Sequence, residues 1–356
     1  MSQDFSRISD VLNVIFQEPM ADFINRSNPV LAAIEKRAVS SQAIFLKGIS
    51  DSDHAAGPIV DGADVTFAGT EGTDYINPTL PWSTYISKFS VPKRAMAQAA
   101  NNPGEIGSLL KSEVMQATKD LASRLAADIF GGTTANGLVG MQTMIDNTGT
   151  YAGINRANEP NFRSVVIDNV DDATPAVPQE ISTRVLYELD AAYFDANGYG
   201  WREMPGLFTG VTSSALMTKY TQLLEDIDLS ALSTAHFVNQ ANSSGRLGIG
   251  STGFVGVPFI RDRNVSAGTG DEEDTSRLYF LDMSKIHLCT LAPGPDGAIH
   301  QALGYTSAPS VDGLTPRIEI LGNRGESVQG FVKLYVQLAT PNPKAAGALL
   351  KNTVSV

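Results

Sequence analysis

Apolar positions change period along the chain, and the changes divide it. Between 101 and 132, Ile106, Leu109, Leu110, Val114, Ala117, Leu121, Leu125 and Ile129 recur at steps of three and four, the stripe of one amphipathic helix. Asn102 at the cap position, Pro103 at the first helical position and Glu105 where a capping-box acid belongs mark its start. Gly131 and Gly132 mark its stop. Such a helix runs roughly 40 Å and can act as a strut.

Upstream, residues 5–40 read as helical pieces broken at Pro19 and Pro29, with Val11, Leu12, Ile15 and Phe16 on the first and Leu31, Ile34 and Val39 on the last. Residues 44–95 change character. Gly, Pro, Asp and Thr dominate as far as Trp82, and "STYISKFSV" then alternates Tyr85, Ser87, Phe89 and Val91. The pattern predicts a long hairpin-like excursion with a mobile tip.

From 135 to about 310 helical and extended patterns alternate, the mark of a mixed α+β domain. A helix is expected at 179–196 on Ile181, Val185, Leu189 and Ala192, then a strand "GLFTGV", a helix opening at Thr212 or Ser213, and strands "GFVGVPFI" and "RLYFLDM". The segment "PRIEILGNRGESVQGFVKLYVQLATPNP" predicts a closing hairpin, with Val332, Leu334, Val336 and Leu338 on one face and "GNRG" in or near the connection. No fixed-period repeat is found.

Composition narrows the classes. In 356 residues, 42% are hydrophobic and 18% charged, ordinary globular usage that excludes wholesale disorder. The formal net charge of -12 repels polyphosphate unless basic residues are concentrated on one face, and no such concentration is visible. The single Cys289 excludes an intramolecular disulfide framework, so stability must come from packing or assembly. The acidic start "MSQDFSRISDVLNVIF" does not read as a secretory signal, and no apolar run reaches the ~18 residues that span a bilayer, so no membrane partner is expected and folding is expected in the cytoplasm.

Candidate chemistry is sparse. Gly248, Gly250 and Gly253 form a literal G-x-G-x-x-G, but a dinucleotide site needs a helix after it, and "FVGVPF" with Pro258 reads as strand. His287 and Cys289 share one strand face, yet a structural zinc site needs four ligands and His54, His236 and His300 are scattered. Packing along a core strand is the expectation for this pair, and nothing pairs Cys289 with a base that would make it a nucleophile. The run Asp271 to Asp274 lacks the alternation of a calcium loop, as do Asp51 and Asp53. There is no Walker lysine motif and no G-x-S-x-G. The chain is therefore read as no enzyme, with no catalytic, cofactor-binding or metal residues. Lys88, Lys93 and Arg94, beside Tyr85 and Phe89, form a small basic cluster whose expected partner is a neighbouring chain, and these five are the subunit-interface candidates.

The order of parts resembles the major capsid protein of tailed bacteriophages of the Hong Kong 97 type. The matching stretches are "DIFGG" at 128–132, "NGLVGM" at 136–141, "GTYAGINR" at 149–156, "GVPFIRDRNV" at 256–265 and "LYFLDMSKIHL" at 278–288. Each is weak alone, none is catalytic, and order and spacing carry the likeness across nearly the whole chain. Phe162 stands where relatives often carry tryptophan, which keeps the aromatic bulk.

The resemblance implies an N-terminal arm (1–43), an extended loop (44–97), a spine helix of a peripheral domain (98–134), an axial domain (135–312), peripheral closing strands (313–342) and a C-terminal segment (343–356). It implies self-assembly into hexamers and pentamers of an icosahedral shell that encloses DNA without sequence-specific binding, in a virion assembled in the host cytoplasm. Portal and decoration proteins belong to the same expectation. About forty residues precede the excursion, so scaffolding is expected to be a separate protein, or the chain is a mature form. Some members cross-link lysine to asparagine. Lys47, Lys88 and Lys93 lie near the excursion, but no motif assigns that chemistry. The rival readings are an encapsulin-like nanocompartment shell of the same fold and an enzyme holding a cofactor near Gly250.

Overall fold

The structure is a computed structural model that describes residues 16, 19–24, 28–39, 41, 43–46, 48–49, 75–94, 103–131, 137–171, 177–230, 253–265, 275–291, 314 and 316–354. Val11, Leu12, Ile15, Asn102, Gly132, the excursion tip, the glycines at 248 and 250 and the acidic run 271–274 lie outside these residues.

The arm is helical at 19–24 and again in α1 (Pro29–Ala33). Pro29 opens α1 instead of breaking a helix, because proline has no N–H to lose at a first helical position. Asn28 caps it, accepting from the backbone N–H of Val30 at 2.8 Å and Leu31 at 3.0 Å. The expected continuation of the helix to 40 is corrected: β1 (Glu35–Val39) is a strand, paired in parallel with a segment some 250 residues away.

The excursion leaves the body as paired ribbons. β2 (Ile44–Phe45) pairs with β5 (Thr79–Leu80), and β3 (Gly48–Ile49) with β4 (Tyr75–Ile76), both antiparallel. Then β6 (Ser83–Pro92) returns with the alternation that the sequence predicts: Ser83, Tyr85, Phe89 and Val91 face inward, while Thr84, Ile86, Lys88 and Ser90 face out.

Helix α2 (Pro103–Phe130) has 28 residues and so spans about 42 Å at the standard rise. Val114, Ala117, Leu121, Leu125 and Ile129 of its predicted stripe are buried, and it packs on β6 and on the long strand of the closing hairpin. After α3 (Met141–Met144) come β7 (Thr150–Tyr151) and β8 (Ile154–Asn155), then β9 (Val165–Asp168) and β10 (Gln179–Glu180). Helix α4 (Thr183–Asn197) begins later than the expected 179, because Ser182 caps it and Gln179–Glu180 are extended. Its buried stripe is Leu186, Leu189, Asp190 and Tyr193, so Val185 and Ala192 sit at the margin of the buried face.

β11 (Phe208–Thr212) leads to α5 (Ser214–Ser230); Thr212 ends the strand, and Ser213 caps the helix by accepting from Leu216 N–H at 3.2 Å. β12 (Gly253–Phe254), β13 (Val257–Arg261), β14 (Thr275–Asp282) and β15 (His287–Leu291) follow. The closing hairpin is β16 (Arg317–Arg324) with β17 (Ser327–Ala339), turning at Gly325–Glu326, and Val332, Leu334, Val336 and Leu338 are all fully buried as predicted. A turn of helix, α6 (Pro343–Ala346), precedes β18 (Gly347–Val354).

These strands form two principal sheets. A five-stranded sheet runs β1-β15-β17-β16, with β6 also paired to β17. Residues 327–333 of β17 pair with both β6 and β16, so those two flank it on opposite edges. A seven-stranded sheet runs β10-β18-β14-β11-β13-β12, with β9 also paired to β18. The first sheet, α2 and the arm share one apolar core; the second sheet with α4 and α5 encloses another, dominated by rings such as Trp201, which stacks on Phe280 with centroids 4.4 Å apart. The fold class is α+β, as expected. β15 (287–291) joins β1, β6, β16 and β17 in the first sheet, and β18, in the C-terminal segment, is an interior strand of the second.

Candidate assembly surface

Strand β6 joins the excursion to the body, with one face buried and the other exposed. Tyr85 and Phe89, expected at an interface between chains, are corrected to interior positions at 8% and 5% exposure. The Tyr85 hydroxyl donates to Asp128 Oδ2 on α2 at 2.8 Å and accepts from Leu138 N–H at 3.3 Å; burial, then the Asp128 carboxylate, pushes its ionisation up. Phe89 lies over Gly330 of β17, where an added Cβ would come within 2.5 Å of the ring, so glycine is required for the ring to seat. Lys88 and Arg94 are exposed and Lys93 is half-buried, so the basic part of the predicted set does reach the surface.

Where β6 starts, fully buried Gln337 ties three segments together. Its Oε1 accepts from Val139 N–H at 2.9 Å, and its Nε2 donates to the Pro81 carbonyl at 2.9 Å and toward Ser83 Oγ at 3.3 Å. The stretches "DIFGG" and "NGLVGM" meet beside it. A Cβ at Gly140 would lie 2.0 Å from the Gly131 carbonyl oxygen, so only glycine allows that approach.

"GTYAGINR" is a tight hairpin. Ala152 and Gly153 take φ of 52° and 83° in a two-residue turn between β7 and β8, as a primed turn requires. Arg156 closes the knot, and its role is absent from the sequence reading. At 1% exposure it donates from Nε to the Phe162 carbonyl at 2.8 Å, from Nη1 to Thr148 at 3.0 Å, and from Nη2 to Thr143 and Met144 at 2.9 and 2.8 Å. The only sequence sign was an isolated arginine in a small-residue loop.

The arm is fastened at two points. Asn28 Nδ2 donates to Asp262, which also accepts from Asn264 N–H at 2.8 Å, so "RDRN" forms a receptor for the arm. Farther on, β1 aligns Glu35 with His287, whose Nδ1 lies 3.0 Å from Glu35 Oε2. Burial and the nearby Arg37 and Lys285 hold His287 below its usual ionisation range, while Glu35 opposes them. Cys289, two residues on, is buried in the main core and pushed up to about 11 by that burial, so this pair packs a core strand.

Gly253, the last glycine of the G-x-G-x-x-G, begins β12, so strand follows the motif where a dinucleotide site needs a helix. Among the described residues no group of three His, Cys, Asp or Glu side chains could hold a metal ion. An open cleft of about 360 Å³ is lined by Asn161, Phe162, Asn197, Asn342 and Lys344. Two of its amides are committed: Asn197 Nδ2 donates to the Tyr193 and Lys344 carbonyls, and Asn342 caps α6. Among the described residues no helix is long and apolar enough to cross a membrane.

No protein-family model and no curated protein matches the chain. Solved structures do. The capsid asymmetric unit of cyanophage A-1(L) aligns with a TM-score of 0.61 at 14% identity, covering 91% of this chain and 92% of that one. The holo-SrpI encapsulin complex from Synechococcus elongatus PCC 7942 aligns at 0.55 and 13% identity, covering 92% and 88%. The capsid of a native GTA particle aligns at 0.52 and 12% identity, covering 91% and 89%. The chain has the fold that these shell subunits share, the Hong Kong 97 type.

Proposed function

We propose that this chain is a major capsid protein, whose copies assemble as hexamers and pentamers into the icosahedral shell of a tailed bacteriophage. The observation that carries the reading is an end-to-end match to shell subunits, over about nine-tenths of both chains, by a molecule whose prominent polar groups are spent on its own architecture. Arg156, Gln337, Asn28 and Tyr85 all hold segments in place, and the excursion ribbon extends from a body with its own cores. An acidic wall suits DNA that must be filled and released, because its field does not hold polyphosphate. Separate scaffolding and portal proteins, and a virion location after assembly in the host cytoplasm, belong to this reading.

A second reading, a nanocompartment shell, is favoured by the likeness to the encapsulin complex. The two differ in content. Sedimentation of particles purified from cells expressing the chain, followed by nuclease treatment and extraction, tests both. Particles loaded with protein cargo and free of phage DNA during infection would favour the compartment, and a chain that remains a monomer at every concentration would contradict both.

A further inference from the structure

The open cleft of about 360 Å³ lies where three segments meet: the turn Pro160–Phe162, the end of α4 and the start of α6. Its walls are tied to one another. Ser164 Oγ donates to the Pro343 carbonyl at 2.8 Å, the Tyr193 hydroxyl to the Ala345 carbonyl at 2.9 Å, and Asn197 Nδ2 to the Lys344 carbonyl at 3.2 Å. Arg156 fixes Phe162, the buried ring among the lining residues. The cleft is therefore formed before anything enters it.

Three donors are left over in it. Asn342 spends its Oδ1 on the Ala345 N–H, which leaves Nδ2, and neither the Asn161 amide nor the Lys344 ammonium has a side-chain partner among the described residues. Lys219, Lys333 and Lys351 each stand near a carboxylate, at 3.9, 2.8 and 3.2 Å, whereas none of the described residues lining this cleft is acidic. The carbonyls at the end of α4, which would repel an anion, are covered: Tyr193 accepts from Asn197 Nδ2 at 3.3 Å and Phe194 from Gly198 N–H at 2.7 Å. We propose that this cleft binds a carboxylate, with Lys344 opposite its charge and Asn161 and Asn342 donating to its oxygens. One ammonium with two amides matches a single negative charge. Phosphate is the weaker occupant, because its second charge meets no second cation on a chain whose formal charge is already -12. Lys344 is half-buried, so its attraction is less screened than that of a lysine on open surface. The carboxylate can come from a free small molecule or from an acidic side chain of a second copy, and the site does not depend on whether copies close into a shell.

Lysine acylation of the full-length protein, mapped by mass spectrometry, tests it. Acetate at about four times its dissociation constant is expected to slow labelling of Lys344 about fivefold, with no effect of neutral acetamide and no change at exposed Lys88 and Lys285. Asn161→Ala is expected to remove the protection and leave the thermal melt in place. Melting supplies a second readout should Lys344 resist labelling: acetate raises the melting temperature of the wild type and not that of Lys344→Gln. Dilution separates the two sources. Protection that grows with protein concentration in the absence of acetate, and that acetate competes away at other sites of contact by dissociating the copies, assigns the carboxylate to a second copy; protection that needs added acetate at every protein concentration assigns it to a small molecule. Equal slowing at every lysine, an equal effect of acetamide, protection that survives Asn161→Ala, the same melting shift in Lys344→Gln, or stronger protection by inorganic phosphate than by acetate would overturn the proposal.

Discussion

Arg156 Nε donates to the carbonyl oxygen of Phe162 at 2.8 Å, and its other guanidinium nitrogens hold the carbonyls of Thr143 and Met144 in α3 and of Thr148 after it. The loop is thereby locked around one buried cation, whose ionisation burial pushes down and nearby Asp146 supports. Arg156→Ala removes all four of these hydrogen bonds. It is expected to lower subunit stability by about 3–5 kcal/mol, with Arg156→Lys intermediate because an ammonium cannot reproduce the planar fan. Urea unfolding of the subunit checks this, and an unchanged midpoint for Arg156→Ala would mean that the knot contributes nothing.

Phe89 separates core from interface. Seated over Gly330 in the main core, it is expected to cost about 3–5 kcal/mol when cut to alanine, seen as a lower melting temperature of the unassembled subunit. An unchanged melt combined with failed assembly would return Phe89 to a surface between chains.

His287 gives the arm a pH signature. Its proton affinity is depressed in the folded chain, chiefly by burial and then by Arg37. As pH falls through about 6.5 the unfolded chain takes up a proton that the folded chain resists, so stability contributed above that pH is lost below it. His287→Gln is expected to flatten this part of the stability profile below about pH 6.5. A steeper profile in the variant would contradict the assignment.

The excursion tip is expected to serve assembly and not the subunit core. Replacing residues 50–74 with a short Gly/Ser linker keeps the β3–β4 register partners, and loop-closure entropy changes only slowly with length. The thermal melt should remain cooperative and shells should not form. Regular shells from this variant would remove the excursion from assembly.

Much of this architecture can be read from residue order, for reasons visible in particular elements. The α2 stripe through Leu121 and the β17 face from Val332 to Leu338 repeat long enough for period to decide their type. "EKRAV" does not: its residues favour helix, and it becomes β1 only because a distant parallel partner, His287–Leu291, completes it. "GALL" is apolar without period because β18 is an interior strand covered on both faces, so it looks like any short buried run. Tyr85 and Phe89 carried the right alternation, yet which face met the core depended on Gly330 and Asp128, far away in sequence. Arg156 left no pattern, since its partners are backbone carbonyls that every residue possesses.

On the proposed function, copies of the chain repeat to build a closed shell. Electron microscopy of the purified full-length protein tests it most directly. Closed, uniform shells in which clusters of six copies are joined by clusters of five at the vertices are the expected result. Monodisperse single subunits, or small oligomers that never close at any protein or salt concentration, would contradict it.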